Sequence, residues 1–143
     1  ICAGGNYIFG LPTDTPETLQ ETFNLSMELQ TEYVNYYCAM GYPGSQLHRE
    51  TAIKSPEKLP ENNGIGWVGY SQHSYECFPL STDALTNSEI LKFRDEAFIK
   101  YFTNESYINK MTKKFGPIFK QQIDRMLGAT NNKPLKRRIV EIS

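Results

Sequence analysis

The stretch from Asn6 to Glu17, NYIFGLPTDTPE, reads as the end of a strand, a glycine turn and the start of a helix. Aromatic and β-branched residues before Gly10 favour a strand, and glycine accepts turn conformations that are costly for other residues. Thr15 is a good helix N-cap, and the proline after it falls at the first helical position, where its missing N–H is harmless. Ligands of α/β proteins bind beyond the carboxyl ends of parallel strands, so this stretch also predicts a ligand edge.

The flanking sequence predicts a strand, helix, strand unit. A first strand is expected over residues 1–9, a helix from Pro16 to Gln30, and a second strand from Tyr33 to Met40. The buried face of the helix is predicted from apolar residues at helical spacing, namely Leu19, Phe23, Leu25, Met27 and Leu29. The second strand is nearly all apolar or aromatic, so both of its faces are expected to be covered. Two strands linked in this way should be parallel, with a right-handed crossover.

Beyond Met40 the pattern changes to turns and helices. The further predicted elements are a helix capped by Ser45 and ending near Ile53, a brief strand over Trp67–Tyr70, a helix from the capping box Thr86–Glu89 to about Phe102, and helices over Glu105–Phe115 and Pro117–Leu127. The basic segment Lys136–Arg138 is expected to be a solvent-exposed face. The chain is thus divided into an α/β part over 1–54, an irregular loop segment over 55–83 and a helical extension over 84–143.

Composition limits the classes of function. A net charge of −1 gives no basis for binding nucleic acid by charge, and no apolar run approaches the ~20 residues that span a bilayer. We therefore expect neither a nucleic acid nor a membrane as partner.

The three cysteines indicate a reducing, cytoplasmic location. Cys2, Cys38 and Cys77 are odd in number and lack the close spacing of a metal or cluster site. They are expected to be small buried side chains, and no metal ligand is predicted. Since Ile1 already belongs to the predicted first strand, we expect the chain to be part of a longer protein.

Three stretches together resemble the C-terminal half of a radical SAM enzyme: NYIFGLPTDTPETLQETF, the strand-like YVNYYCAMGYPGSQL, and GYSQHSYECFPLSTDALTNSEILKFRDEAFIKYFTN. Within that superfamily, the chain is most similar to the group that carries a cobalamin-binding domain. The resemblance covers residues 1–128. It implies an α/β fold, namely the last βαβ part of a partial TIM-like (β/α)6 barrel followed by a mainly helical C-terminal region.

The resemblance also implies a set of cofactor-binding residues. In this family S-adenosylmethionine chelates a [4Fe–4S] cluster, and an apolar residue two positions before a glycine on the fifth strand lies against the adenine. These two positions correspond to Ile8 and Gly10. The other cofactor-binding residues implied in this way are Asn6, Leu11, Pro12, Tyr42 and Pro43. An ordinary core position is the alternative for Ile8.

The cysteine motif that holds the family's cluster, Cys-x3-Cys-x2-Cys, does not occur in this sequence. The resemblance therefore implies a fragment that is inactive by itself and has no catalytic residue of its own. S-adenosylmethionine and the cluster, with cobalamin left open, would be bound in the parent protein, and none by this chain alone. The expected partner is the missing N-terminal half of the barrel. An exposed sheet edge would also favour self-association.

A polar and aromatic segment in the middle of the chain supplies the candidate substrate residues. Gln72, His73 and Tyr75 are hydrogen-bonding and aromatic groups in an irregular segment, where substrate-positioning residues commonly occur. His73 could also act as an acid or base near neutral pH; its alternative is a loop histidine in contact with water. His48 is expected to lie at the surface.

A non-catalytic α/β binding or interaction module is the alternative function. A small independent hydrolase or transferase is disfavoured, because the sequence contains no Gly-x-Ser-x-Gly elbow, phosphate-binding glycine loop or His-Glu-x-x-His pair.

Overall fold

Two parallel strands and the helix between them form the N-terminal part of the fold. The strands are β1 (Gly4–Phe9) and β2 (Tyr33–Cys38), and the helix is α1 (Pro16–Leu29). The computed structural model describes residues 1–128 and 131–143. The predicted strand, helix, strand unit with parallel strands is confirmed, although β1 begins three residues later and β2 ends two residues earlier than expected.

The start of α1 follows the sequence prediction. The Thr15 hydroxyl accepts a hydrogen bond from the Thr18 N–H, and the Thr18 hydroxyl oxygen accepts one from the Thr15 N–H at 3.0 Å. Pro16 is the first helical residue. These reciprocal bonds satisfy backbone donors that have no partner inside the helix.

The rest of the chain is mainly helical. Its elements are α2 (Gln46–Lys54), three short 3-10 helices (Pro56–Lys58, Pro60–Asn63 and Gly66–Tyr70), α3 (Asn87–Phe102), α4 (Glu105–Phe115), α5 (Ile118–Gly128) and α6 (Arg138–Glu141). The molecule is therefore a mixed α/β protein, mostly helical, with a two-stranded parallel sheet among its described residues. None of the described helices combines the length and apolar character needed to cross a membrane.

The strand expected over Trp67–Tyr70 is wrong, since these residues lie in a 3-10 helix. A strand needs a neighbouring strand for its hydrogen bonds, whereas here the backbone bonds locally, as from the Ser71 N–H to the Val68 carbonyl at 3.1 Å. Gly69 also lies so close to Pro60 that a Cβ added at the glycine would clash with the proline ring. This contact folds the segment back on the preceding 3-10 helix.

One face of the sheet is buried by α1 and α3. The core side of β2 presents Val34, Tyr36 and Cys38. The centre of the Tyr36 ring lies 5.5 Å from the centre of the Phe9 ring on β1. The Tyr36 hydroxyl shares a 2.6 Å hydrogen bond with the hydroxyl of Ser26, a fully buried residue of α1. This bond satisfies two polar atoms that would be costly to bury alone.

The other sheet face is open in the described structure, so the prediction that both faces of β2 are covered is wrong. We call this surface the open sheet face, and it consists of Asn6, Ile8, Tyr33, Asn35 and Tyr37. Ile8 is 48% exposed and Tyr33 is 64% exposed. A run of apolar and aromatic residues cannot distinguish a covered face from an exposed one, because tyrosine accepts both environments.

The apolar stripe of α1 is narrower than predicted. Leu19, Phe23 and Ser26 are buried, whereas Leu25 and Leu29 are exposed. Helix α1 packs on one sheet layer only, so a single stripe is enough to cover the contact.

The helical end is attached to the α/β part through tyrosine hydroxyls. Tyr101 of α3 donates to the Thr31 carbonyl at 2.7 Å, and Tyr107 of α4 donates to the Glu32 carbonyl at 2.9 Å. One buried cluster of apolar side chains extends from Phe9 to Ile139 and draws on all three predicted segments. The division at residues 54 and 83 stays a prediction.

Candidate functional site

The turn after β1 is built by Gly10 and Asp14. Gly10 has a φ of 84°, in the left-handed region that favours glycine. One carboxylate oxygen of Asp14 accepts hydrogen bonds from the N–H groups of Gly10 and Leu11, each at 2.9 Å. These two backbone donors are therefore already used within the chain.

The close approach that Gly10 permits is to another residue of this chain. A Cβ added at Gly10 would lie 2.9 Å from the Ile90 side chain, and Ile90 is fully buried in α3. The space beside Gly10, which was expected to admit the adenine, is thus filled by the buried side chain of Ile90. Gly10 shapes the turn and the packing of α3 on β1.

Asn6 and Ile8 lie on the open sheet face. The Asn35 side-chain amide donates to the Asn6 side-chain oxygen at 3.0 Å, and Ile8 is the register partner of Tyr37. Because Ile8 is half exposed, the alternative of an ordinary core residue does not hold in the described structure. This face offers an apolar side chain, an aromatic ring and an amide pair to whatever lies above it.

The other predicted cofactor residues are distributed around the strand ends. Leu11 and Pro43 are exposed. Pro12, together with Gly10, lines a cavity of about 290 Å³ between the β1 turn, α2 and residues 80–83. The structure therefore does not gather all seven predicted residues at one place.

Tyr42 belongs to a row of aromatic side chains beyond β2. Its ring lies 5.7 Å from that of Tyr70, which in turn lies 6.0 Å from Trp67. Trp67 is 70% exposed. The sequence pattern indicates a strand over Trp67–Tyr70 and no site there. A lone tryptophan in a glycine-rich segment is the one signal that could have pointed to these aromatic residues.

A polar network lies beneath this aromatic row. The Tyr70 hydroxyl donates to one carboxylate oxygen of Glu61 at 2.6 Å, and the other oxygen lies 2.8 Å from His48 Nε2. Desolvation raises the pKa of the Glu61 carboxyl, but the bonds from Tyr70 and His48 outweigh it and hold the pKa below its usual value. His48 is only about one-fifth exposed, so the prediction of a plain surface residue is wrong.

Gln72 is bound to the backbone of β2. Its side-chain oxygen accepts from the Cys38 N–H at 3.0 Å, and its side-chain nitrogen donates to the Cys38 carbonyl at 2.9 Å. The same nitrogen lies 3.3 Å from the Tyr42 hydroxyl. The amide expected to meet a substrate is thus occupied in completing the free edge of a strand.

His73 and Tyr75 are separated from each other. The Tyr75 hydroxyl donates to a Glu141 carboxylate oxygen at 2.7 Å, which ties the segment to α6. His73 instead lines a cavity at the edge of β2, so the three predicted substrate residues do not converge.

That cavity contains a cluster of buried charges. The carboxylate of Asp95 accepts two hydrogen bonds from the Arg137 guanidinium, at 2.7 and 3.2 Å, and lies 2.8 Å from Arg94 Nε. Arg94 and Arg137 are each only 2% exposed. The prediction that Lys136–Arg138 is a solvated face is therefore wrong at its central residue.

Two backbone carbonyls hold the arginines in place. Arg137 Nη1 donates to the Ser74 carbonyl at 2.6 Å, and Arg94 Nη2 donates to the Gln72 carbonyl at 2.7 Å. Desolvation and the nearby positive charge of the two arginines lower the pKa of His73. One signal for this cluster was present in the sequence, since Arg94 falls within the apolar stripe of α3, where an unpaired charge would be costly.

The cysteines do not fit a [4Fe–4S] cluster. Cys38 and Cys77 are buried while Cys2 is exposed, which also corrects the expectation of three buried side chains. Burial raises the pKa of the Cys38 thiol to about 12 and also raises the pKa of Cys77, so neither is a ready thiolate ligand. Among residues 1–128 and 131–143, no group of three or more His, Cys, Asp or Glu side chains is placed to hold a metal ion.

Comparisons of the chain with protein-family models, with curated proteins and with solved structures found no match.

Proposed function

We propose that this chain is part of a radical SAM enzyme and supplies the adenine-side wall of its S-adenosylmethionine site, together with part of the substrate cover. The observation that carries the proposal is the exposure of Ile8 on the open sheet face, two residues before the Gly10 turn of a parallel strand. In this proposal the cysteines that bind the cluster belong to another part of the enzyme. The bound cofactor would supply the radical chemistry, and this chain would supply binding surface.

The open sheet face has the chemistry of an adenine contact. Ile8 and Tyr37 offer apolar and aromatic surface, and the amide pair of Asn6 and Asn35 offers hydrogen-bonding groups beside it. Ligand sites commonly combine mostly apolar walls with a few polar groups that set orientation. Of the two motif positions, we propose Ile8 and not Gly10 as the adenine contact, because Ile90 occupies the space beside the glycine.

The layering of the chain also supports the proposal. Helix α1 covers one face of the parallel pair and leaves the other uncovered, as expected where helices surround a barrel and the opposite strand faces look inward. The aromatic row of Tyr42, Tyr70 and Trp67 lies beyond the end of β2, on the side where α/β enzymes bind their ligands.

The test uses the complete gene product, purified without oxygen and reconstituted with iron and sulfide. Ile8→Asp should weaken S-adenosylmethionine binding at least about tenfold at unchanged iron content, because it places a carboxylate against an apolar ring. Ile53→Asp is the matched control, since Ile53 is exposed on α2 and lines neither cavity. Equal binding by both variants would remove Ile8 from the site, and a gene product that binds neither cluster nor S-adenosylmethionine would overturn the proposal.

A non-catalytic interaction module is the second candidate. It is favoured by the exposed Ile8 and Tyr33 and by the edge of β1 opposite β2, which has no strand partner among the described residues. Unpaired edges and apolar faces recruit other chains. Sedimentation of the 143-residue chain over a range of concentrations tests this candidate. Self-association that Ile8→Lys abolishes and Ile53→Lys preserves would support it, and a monomer at all concentrations would contradict self-association.

A further inference from the structure

We infer that the cavity at the edge of β2 binds a small organic anion, in which a carboxylate or phosphate group is joined to an apolar group. The cavity has a volume of about 230 Å³ and lies between β2, α3, α5 and the segment 133–137. We call it the arginine cavity, after Arg94 and Arg137. The inference concerns this chain alone and does not depend on the proposed S-adenosylmethionine site.

The charges that line the arginine cavity are unbalanced. Among the described residues, three cationic side chains, those of Arg94, Lys133 and Arg137, line the cavity together with a single carboxylate, that of Asp95, which leaves a formal charge of +2. Two of the three cations are almost completely buried. A buried charge that lacks a counter-ion is strongly unfavourable, so an anion in the adjoining space would stabilise this arrangement.

The two guanidinium groups are held rigidly. Asp95 and the Ser74 carbonyl fix Arg137, while the Gln72 carbonyl fixes Arg94. Groups positioned before the ligand arrives lose little conformational entropy on binding. Planar guanidinium groups are also well suited to carboxylate and phosphate oxygens, which they bind through parallel N–H donors.

Within the described part of the chain, one donor of the cluster has no aligned acceptor. Arg94 Nε is shielded from solvent and lies 2.8 Å from an Asp95 oxygen, but this contact does not have the angle of a hydrogen bond. A buried donor left in this state is costly. An anion oxygen in the adjoining cavity would give this donor an acceptor.

The remaining walls define the other half of the ligand. They are formed by Phe98 and Ile99 of α3, Met126 of α5, and Pro134 and Leu135. These side chains would cover an apolar group, whereas a free inorganic ion would leave them in contact with water. A volume of about 230 Å³ lies below the ~300–1,000 Å³ of pockets for drug-sized ligands, so the ligand is small.

The experiment is a titration of the ¹⁵N-labelled 143-residue chain, followed by amide chemical shifts, with four probes: phenylacetate, phenyl phosphate, phenylacetamide and inorganic phosphate. Phenylacetate or phenyl phosphate should bind at least about tenfold more tightly than neutral phenylacetamide, because hydrogen bonds between two charged groups are stronger than those to a neutral amide. Whichever anion binds more tightly identifies the headgroup as carboxylate or phosphate. The shift changes should centre on Asn35, Tyr37 and His73.

An exposed lysine at the cavity permits a variant that keeps the fold. Lys133→Gln should weaken binding of the preferred anion about threefold, as expected for one exposed charge. Lys136→Gln is the matched control, since Lys136 is also exposed but does not line the cavity, and it should bind like the unmodified chain. The inference is overturned if no anion binds, if phenylacetamide or inorganic phosphate binds as tightly as the organic anions, if the shifts map elsewhere, or if the two lysine variants behave alike.

Discussion

The side-chain amide of Gln72 pairs with the backbone of Cys38 as a neighbouring strand would. Its oxygen accepts from the Cys38 N–H at 3.0 Å and its nitrogen donates to the Cys38 carbonyl at 2.9 Å. The Gln72 carbonyl in turn accepts from Arg94, so one residue joins the strand edge to the buried charges of the arginine cavity. Gln72, a residue whose polar side chain suggested a substrate contact, thus has a structural role at the edge of β2.

We expect Gln72→Ala to lower the free energy of unfolding by about 1–3 kcal/mol, because it leaves a strand donor and acceptor without partners. Hydrogen exchange at the Cys38 amide should become faster. Gln20→Ala is the control, since Gln20 is exposed and its side-chain amide donates to the Asn24 side chain one helical turn away; its effect should stay within about 0.5 kcal/mol. Unchanged exchange at Cys38 in Gln72→Ala would show that the amide pair contributes little.

Alanine substitutions at Gly10 and Gly44 distinguish the cost of backbone strain from the cost of overpacking. Both have positive φ, 84° and 89°, but an added Cβ meets Ile90 at Gly10 and nothing within 4 Å at Gly44. Gly44→Ala should therefore show only the cost of a left-handed alanine, about 1–2 kcal/mol. Gly10→Ala should cost a further ~1–3 kcal/mol for overpacking of the core. Urea unfolding of both variants measures the difference, and equal losses would contradict the contact with Ile90.

Arg137 and Arg138 are neighbours in sequence with opposite environments. Arg137→Gln removes both guanidinium hydrogen bonds to the buried Asp95 carboxylate and the bond to the Ser74 carbonyl, and it should cost about 3–5 kcal/mol, because these buried acceptors lose a charged, well-aligned donor. Arg138→Gln breaks an exposed pair with Glu76 at 3.0 Å and should cost less than about 1 kcal/mol. Thermal and urea unfolding distinguish the two. Similar losses of stability in the two variants would contradict the burial of Arg137 and its pairing with Asp95.

The lowered pKa of Glu32 predicts that the free energy of unfolding decreases in acid. Its hydrogen bonds with Lys114 and with the Ala3 N–H lower the pKa of the carboxyl to about 2. Because the folded-state pKa lies below the unfolded value of ~4.3, the stabilisation is complete above that value and is lost as the pH falls toward about 2. As the pH is lowered from ~4.3 to about 2, the midpoint of urea unfolding should decrease less steeply for Glu32→Gln than for the unmodified chain. Asp124→Asn, at an exposed pair with Lys120, should leave the slope unchanged.

The three thiols should differ in reactivity. Cys2 is exposed, whereas burial raises the pKa of Cys38 to about 12 and also raises that of Cys77. Since the thiolate is the reactive form, a maleimide should label one thiol in the native chain and all three in denaturant. Mass spectrometry of the labelled peptides identifies the site. Rapid native labelling at Cys38 would contradict the packing of β2.

Local features of the sequence predicted much of the fold. The cap at Thr15, the capping box at Thr86 and the capping of α2 by Ser45 all occur as expected, because each involves residues within one helical turn. The parallel arrangement of β1 and β2 follows from the length of the link between them. The position of Ile8 two residues before a glycine turn could also be read from the sequence, although its exposure could not.

Contacts between distant residues could not be predicted in this way. Apolar periodicity places Arg94 on the inner face of α3, but its partners lie in other elements. Gln72 meets Cys38 from 34 residues away, and Asp95 meets Arg137 from 42 residues away. A single sequence contains no pattern that connects such positions. From the sequence alone, the buried Arg137 therefore cannot be distinguished from the exposed basic residues beside it.

By itself, the sequence determined where helices α1 to α4 begin and that a glycine turn follows a parallel strand, since these depend on backbone conformation and hydrogen bonds between near neighbours. Only the tertiary structure decided that Ile90 fills the space beside Gly10, that Gln72 completes the edge of β2, that one sheet face stays open, and that two buried arginines meet one carboxylate. The physical reason is that burial and charge pairing are properties of the packed surfaces, and those surfaces form only when remote segments of the chain come together.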